Sequence, residues 1–135
     1  MTDPSDSSTP FGRGAPYCAP PNPQLRRPHL KLPQGACDCH AHVCGPASRF
    51  AYDPERIYTP PDALVAHYSA LLDSLGVSRA VLIQPSVYGT DNDAMLDAMD
   101  GMRAVGLECR AVAVVDPQVA DGELKRLNAA GVRGI

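Results

Sequence analysis

The sequence predicts an α/β fold of parallel strands. Its roughly four strand–helix units amount to the N-terminal half of a (β/α)8 barrel, preceded by a proline-rich arm. Three observations point there. Short apolar runs of strand type alternate with stretches of helical periodicity from residue 36 onward. Each unit takes about 25 to 35 residues, the size of a right-handed βαβ crossover. A closed eight-stranded barrel needs about 250 residues, whereas this chain has 135 and stops within a strand-like stretch at 132–135. The chain is therefore expected to be the front part of a longer barrel, truncated at its C-terminal end.

Residues 1–35 hold eight of the fourteen prolines and no apolar periodicity, and are expected to form an extended, mobile arm. Arg13, Arg26, Arg27 and Lys31 against Asp3 and Asp6 give it +2, leaving −5 on residues 36–135 of the −3 total. The barrel domain is expected to span 36–135. Residues 36–43 read as the first strand. Thr59, Pro60 and Asp62 suit N-cap, N1 and N3 of the first helix. Leu64, Val65, Tyr68, Leu71, Leu72 and Leu75 recur at helical spacing, and Gly76 closes that helix. Residues 80–85 are the second strand, followed by a polar loop over 86–92. Asn92 or Asp91 caps the second helix, whose Met95, Met99 and Met102 share a core face. Gly106 stops it. Residues 109–115 are the third strand. Asp121 caps the third helix, with Leu124 and Leu127 inward and Gly131 ending it, and residues 132–135 begin a fourth strand.

The 44% hydrophobic content supports a packed core and excludes wholesale disorder. A pI near 5.7 and the absence of Trp argue against nucleic acid as a partner. The longest apolar run, residues 111–115, is far too short for a membrane helix. Residues 1–10 lack the apolar region of a secretory signal, and the Arg26-Arg27 pair lacks the hydrophobic half of a twin-arginine address. Five cysteines without a regular framework then read as reduced thiols of a cytoplasmic protein. Cys37, Cys39 and Cys44 do not match structural zinc spacing, and Cys37 and Cys39 are expected to face the helices as small hydrophobes.

The chemistry concentrates in Asp38-Cys39-His40-Ala41-His42 at the end of the first strand. Strand side chains alternate, which puts Asp38, His40 and His42 on one face. Two imidazoles two residues apart can converge on one metal ion, at the strand end where such barrels keep their active sites. Asp38 fits a supporting carboxylate better than a direct participant. Gln84 has the parity of Ser86 and can reach the same pocket. Tyr88 reads as a surface lid residue, Arg133 as an outer salt bridge or loop anchor, and His29 and His67 as an arm residue and a helix-surface residue.

Several segments in order carry a family resemblance: residues 35–46 around His40 and His42, Tyr58-Thr59-Pro60, residues 84–92 from Gln84 to Asn92, Val114-Val115-Asp116-Pro117, and residues 131–135. The chain resembles the amidohydrolase superfamily, in the amidohydrolase-related group typified by 2-pyrone-4,6-dicarboxylate lactonase. The resemblance runs from about residue 32 to residue 135. It implies a TIM barrel that opens a lactone or similar cyclic ester of a carboxylated small molecule with activated water. His40 and His42 match the family's catalytic histidine pair, and Tyr58 and Ser86 match substrate-contacting positions. The implied cofactor is a divalent metal, zinc or manganese, held by His40 and His42. A metal-independent route, with the two histidines donating to the carbonyl, is equally compatible with the group. The remaining histidine, catalytic aspartate and carboxylate-binding arginines would lie beyond residue 135, so this stretch alone is expected to be inactive. Tyr88 stands where the group usually has His, and Cys44 where it often has Phe. A non-catalytic α/β binding module is the competing reading. Neither reading specifies the oligomeric state.

Overall fold

The computed structural model describes residues 14–135. Residues 1–13 of the expected arm lie outside the described residues. Strands β1 (Cys37–Ala41), β2 (Arg79–Ile83), β3 (Glu108–Val112) and β4 (Val132–Gly134) form one sheet in the order β1-β2-β3-β4, every neighbouring pair parallel. Helices α1 (Val65–Leu75), α2 (Asp93–Ala104) and α3 (Asp121–Ala130) are the crossovers. The α/β class and the order of elements agree with the sequence reading, although the strands are shorter than the apolar runs suggest.

One face of the sheet carries the core. Ala80, Leu82, Cys109, Ala111, Ala113 and Val132 are buried beneath the helices. Met95, Met99 and Met102 of α2 are at most 2% exposed, so the methionine stripe is core as expected. Leu72 and Leu127 complete it from α1 and α3, whereas Leu71, expected inward, stays 37% exposed. On the other face Arg79, Glu108, Arg110 and Arg133 are exposed.

Glycines terminate the helices for a local reason. Gly76, at φ +70°, donates to Asp73 O, and Val77 N donates to Leu72 O at 2.9 Å. Gly106, at φ +84°, does the same after α2, with Leu107 N reaching Met102 O. A side chain with a Cβ resists both conformations.

The start of α1 departs from expectation. Thr59, Pro60 and Asp62 do not cap it; the helix begins at Val65 after an extended Leu64. Pro61 pushes Pro60 out of helical backbone geometry. Residues 59–63 instead pair with other segments: Thr59 bridges Tyr17, and Ala63 bridges Cys44. Asp62 Oδ1 accepts from Ala47 N at 2.9 Å. The helix start is served by His67, whose Nδ1 accepts from Leu64 N at 3.0 Å. His67 is exposed, as expected, but takes the place of the acidic partner in a capping box. Likewise, neither Asn92 nor Asp121 makes a side-chain cap bond, and Asp91 Oδ1 accepts from Asp93 N instead.

The N-terminal segment forms no helix or strand over residues 14–35 but is tied down near Thr59 and, at its end, by Arg79, whose Nη1 donates to Gly35 O at 3.0 Å. Thr59 N donates to Pro16 O at 2.8 Å and Cys18 N donates to Thr59 O at 2.9 Å.

Candidate functional site

The parallel sheet brings the ends of β1 and β2 together, because hydrogen bonding places Asp38 beside Ala80 and Ala41 beside Leu82. Two β1 residues, Cys39 and His40, thus stand opposite a single β2 residue, Val81. This is a β-bulge, and it breaks the period of two. The expectation that Asp38 shares a face with His40 and His42 fails for that reason. Asp38 turns to the helix layer, where its Oδ2 accepts from the Tyr68 hydroxyl at 2.9 Å. Its Oδ1 accepts from His40 N at 3.1 Å. The same shift corrects Cys37 and Cys39, which do not join the helix-side core; Cys39 is exposed.

His40 and His42 do come together. Their ring centroids are 5.2 Å apart with the planes at 89°. Both are exposed at the C-terminal end of β1. His42 Nδ1 lies 2.8 Å from Ile83 O. A carbonyl can only accept, so Nδ1 carries a proton, and in the neutral ring Nε2 then keeps the lone pair. This carbonyl-anchored tautomer is the one that metal-binding histidines use. His42 also borders a cleft of about 580 Å³ between the N-terminal segment and α1, where Pro21, Leu25, Leu64 and Leu71 supply apolar walls. Among the described residues no group of three or more His, Cys, Asp or Glu is arranged to hold a metal ion. The pair fits as two ligands of a metal, not as a complete set.

The second strand end supplies two of the remaining predicted positions, Ser86 and Gln84. Ser86 opens a 3-10 turn, Ser86–Tyr88, and its side chain is exposed. Gln84 is 4% exposed, and its Nε2 donates to Asp91 O at 2.6 Å and to Gly89 O at 3.3 Å. That amide nitrogen holds the loop, while the buried Oε1 has no partner among the described residues. Tyr58 is half-buried against a small cluster of Tyr52, Val87 and Tyr88.

Tyr88 is not a lid. It is 4% exposed, and its hydroxyl accepts from Gly45 N at 2.8 Å, tying the loop after β2 to the loop after β1. Burial pushes its phenol well above the ordinary range. Asn92, 3% exposed, ties the same loop to the end of β3: its Nδ2 donates to Val114 O at 2.8 Å, and its Oδ1 accepts from Val114 N at 3.2 Å. Arg133, expected as an outer salt bridge or loop anchor, instead donates to Asn128 O at 2.9 Å in the last turn of α3.

Sequence reasoning missed Tyr68, taken only as one of the inward positions of α1. Its signal was a polar tip within that stripe, since a buried tyrosine hydroxyl needs a partner. Burial first, and then the Asp38 hydrogen bond and charge, push this phenol well above the ordinary range.

The family model described as Amidohydrolase matches residues 37–135, nearly three quarters of the chain. The chain belongs to the amidohydrolase family. Among curated relatives, it is 47% identical over 109 residues to a 2-pyrone-4,6-dicarboxylate hydrolase of Comamonas testosteroni, a match covering 81% of this chain and 35% of the relative. It is 36% identical over 124 residues to a 4-sulfomuconolactone hydrolase of Rhizobium radiobacter, covering 90% and 40% respectively. A crystal structure of a probable 2-pyrone-4,6-dicarboxylic acid hydrolase from Acinetobacter baumannii, with citric acid bound, superposes with a TM-score of 0.67 at 31% identity. That match covers 75% of this chain and 36% of the neighbour. The chain thus spans 35–40% of the length of these curated amidohydrolase relatives. No described helix is long and apolar enough to cross a membrane.

Proposed function

We propose that this chain is the N-terminal part of an amidohydrolase that opens a lactone of a carboxylated small molecule by hydrolysis. The observation that carries the reading is the His40–His42 pair at the end of β1, with His42 held in one tautomer by Ile83 O. The names of the relatives agree with it. His42 presents Nε2 as an acceptor, which suits a metal ligand or a base; a neutral His42 in this tautomer has no second N–H to give a carbonyl. Among the described residues no hydrogen bond holds the His40 ring in this way.

His40 and His42 would hold a zinc or manganese ion together with ligands from outside residues 14–135. Such an ion, when bound, supplies an activated water and polarises the lactone carbonyl. The Ile83 carbonyl fixes the ring plane of His42 and so orients its Nε2. Ser86 offers an exposed hydroxyl on a turn held by Gln84 and Asn92. Tyr58 presents a half-buried phenol beside the same loop. These two side chains are the substrate contacts in this reading, and Gln84, buried beneath the same loop, supports it through its Nε2 bonds to Gly89 O and Asp91 O. Water adds across the ring ester and the acyl–oxygen bond breaks, giving a hydroxy carboxylate and one proton. The substrate is a small carboxylated lactone; no part is assigned to nucleic acid or membrane. All five cysteines are free thiols, which supports a cytoplasmic setting.

The test is turnover of carboxylated lactones by the native gene product, with its intact mass measured alongside. A mass well above 14.3 kDa together with ring opening of 2-pyrone-4,6-dicarboxylate or a related lactone is expected. A 14.3 kDa product that binds such lactones without opening them would favour a binding module.

A further inference from the structure

We propose that Asp38 and Tyr68 act as a positioning pair that locks the bulge in β1 and so sets the placement of His40 relative to His42. The inference rests on reading these two histidines as the hydrolytic pair. Three observations carry it. The bulge turns what would be a shared face into two, so that Asp38 leaves the histidine side. The His40 amide bonds to the Asp38 carboxylate at 3.1 Å, so the side chain two residues back holds the backbone of the bulge. The other carboxylate oxygen accepts from Tyr68 at 2.9 Å, and Tyr68 is 8% exposed in the core against which Leu72 and Leu82 pack.

The chain of contacts runs from the core of α1, through one hydroxyl and one carboxylate, to the backbone that carries a candidate catalytic imidazole. The two ends of Asp38 have different jobs. Oδ1 satisfies an amide at the bulge, and Oδ2 ties that turn to a helix whose own position is fixed by packing. Tyr68 remains a donor at any ordinary pH, since burial and the neighbouring carboxylate both disfavour its ionised form. The register pairs that flank the bulge, Asp38 with Ala80 and Ala41 with Leu82, do not include His40, so its 5.2 Å ring contact with His42 depends on how the bulge is held.

The test uses the native gene product carrying Asp38→Ala, Asp38→Asn or Tyr68→Phe, with 2-pyrone-4,6-dicarboxylate as the probe substrate. Imidazole NMR signals of His40 and His42 are recorded in each. Asp38→Ala is expected to lower kcat by about 10- to 100-fold with little change in KM, the usual cost of removing a group that orients a site residue. Both imidazole signals should move. Asp38→Asn should recover most of the loss, because its amide oxygen still accepts from His40 N and its NH2 donates to the Tyr68 oxygen. Tyr68→Phe should fall between. Wild-type kcat with unmoved histidine signals in Asp38→Ala would overturn the proposal. So would an Asp38→Asn variant as impaired as Asp38→Ala. If Asp38→Ala does not fold, Tyr68→Phe decides, and unchanged histidine signals there refute the pair. His40→Ala and His42→Ala run alongside keep the two readings apart. Activity lost in these but kept in Asp38→Ala defeats only the positioning pair. Activity kept in these defeats the hydrolytic reading, while the NMR signals still test the positioning.

Discussion

Replacing Asn92 by Asp should destabilise the protein more than replacing it by Ala, although Asp is the closer match in shape. Asn92 is 3% exposed and makes three bonds to backbone: Nδ2 to Thr90 O at 3.0 Å, Nδ2 to Val114 O at 2.8 Å, and Val114 N to Oδ1 at 3.2 Å. Only an amide, one donor end and one acceptor end, satisfies all three. Asn92→Ala removes these bonds. Val114 is 43% exposed, so water reaches part of the orphaned backbone. The loss is then about 2 kcal/mol, from roughly 1 kcal/mol per bond less what water restores. Asn92→Asp keeps the acceptor for Val114 N but aims a carboxylate oxygen at two carbonyls. An uncompensated buried charge raises the cost to about 3–5 kcal/mol. Urea unfolding followed by circular dichroism at neutral pH measures both. The expected order of midpoints is wild type, then Asn92→Ala, then Asn92→Asp. Acidification should narrow the gap between the two variants, because a protonated carboxyl can donate. An Asn92→Asp protein as stable as wild type, or more stable than Asn92→Ala, would refute this account of the loop.

Two further expectations concern the same region. Tyr88→Phe removes the acceptor of the buried Gly45 amide and should cost about 1–3 kcal/mol, read as a lower thermal midpoint; an unchanged midpoint would make that bond irrelevant. Cys44 is pushed up to about 11 by burial, from an ordinary value near 9. Its stabilisation is intact below pH 9 and is lost as pH rises through about 11, since the unfolded thiol gives up its proton first. The stability gap between wild type and Cys44→Ala should therefore shrink between pH 8 and pH 10.5, and a constant gap would contradict the burial argument.

Much of the fold was legible because its causes are local. The methionine stripe of α2, the glycine stops after Leu75 and Val105, and the alternation of strands and helices each follow from spacing and backbone preference. The misreadings share a different cause. Thr59-Pro60 looks like a helix start locally, yet Thr59 pairs with Tyr17 and Ala63 with Cys44, contacts that spacing does not show. Tyr88 looks like a loop residue until Gly45, far away in sequence, supplies its partner. At the site itself, the two histidines were visible as a pair. The face of Asp38 was not, because a bulge alters parity without leaving a mark in the residue pattern. Tyr68 belonged to the core by periodicity, and its bond to Asp38 depends on how α1 lies over β1.

The most direct test of the central claim is the steady-state rate of lactone opening by the native gene product and its His40→Ala and His42→Ala variants. Both variants are predicted to lose at least about 100-fold in kcat, the usual scale for a positioned acid–base or metal-holding group. Activity within about threefold of wild type in both, well short of that general acid–base scale, would contradict the claim that this pair sits at the hydrolytic centre.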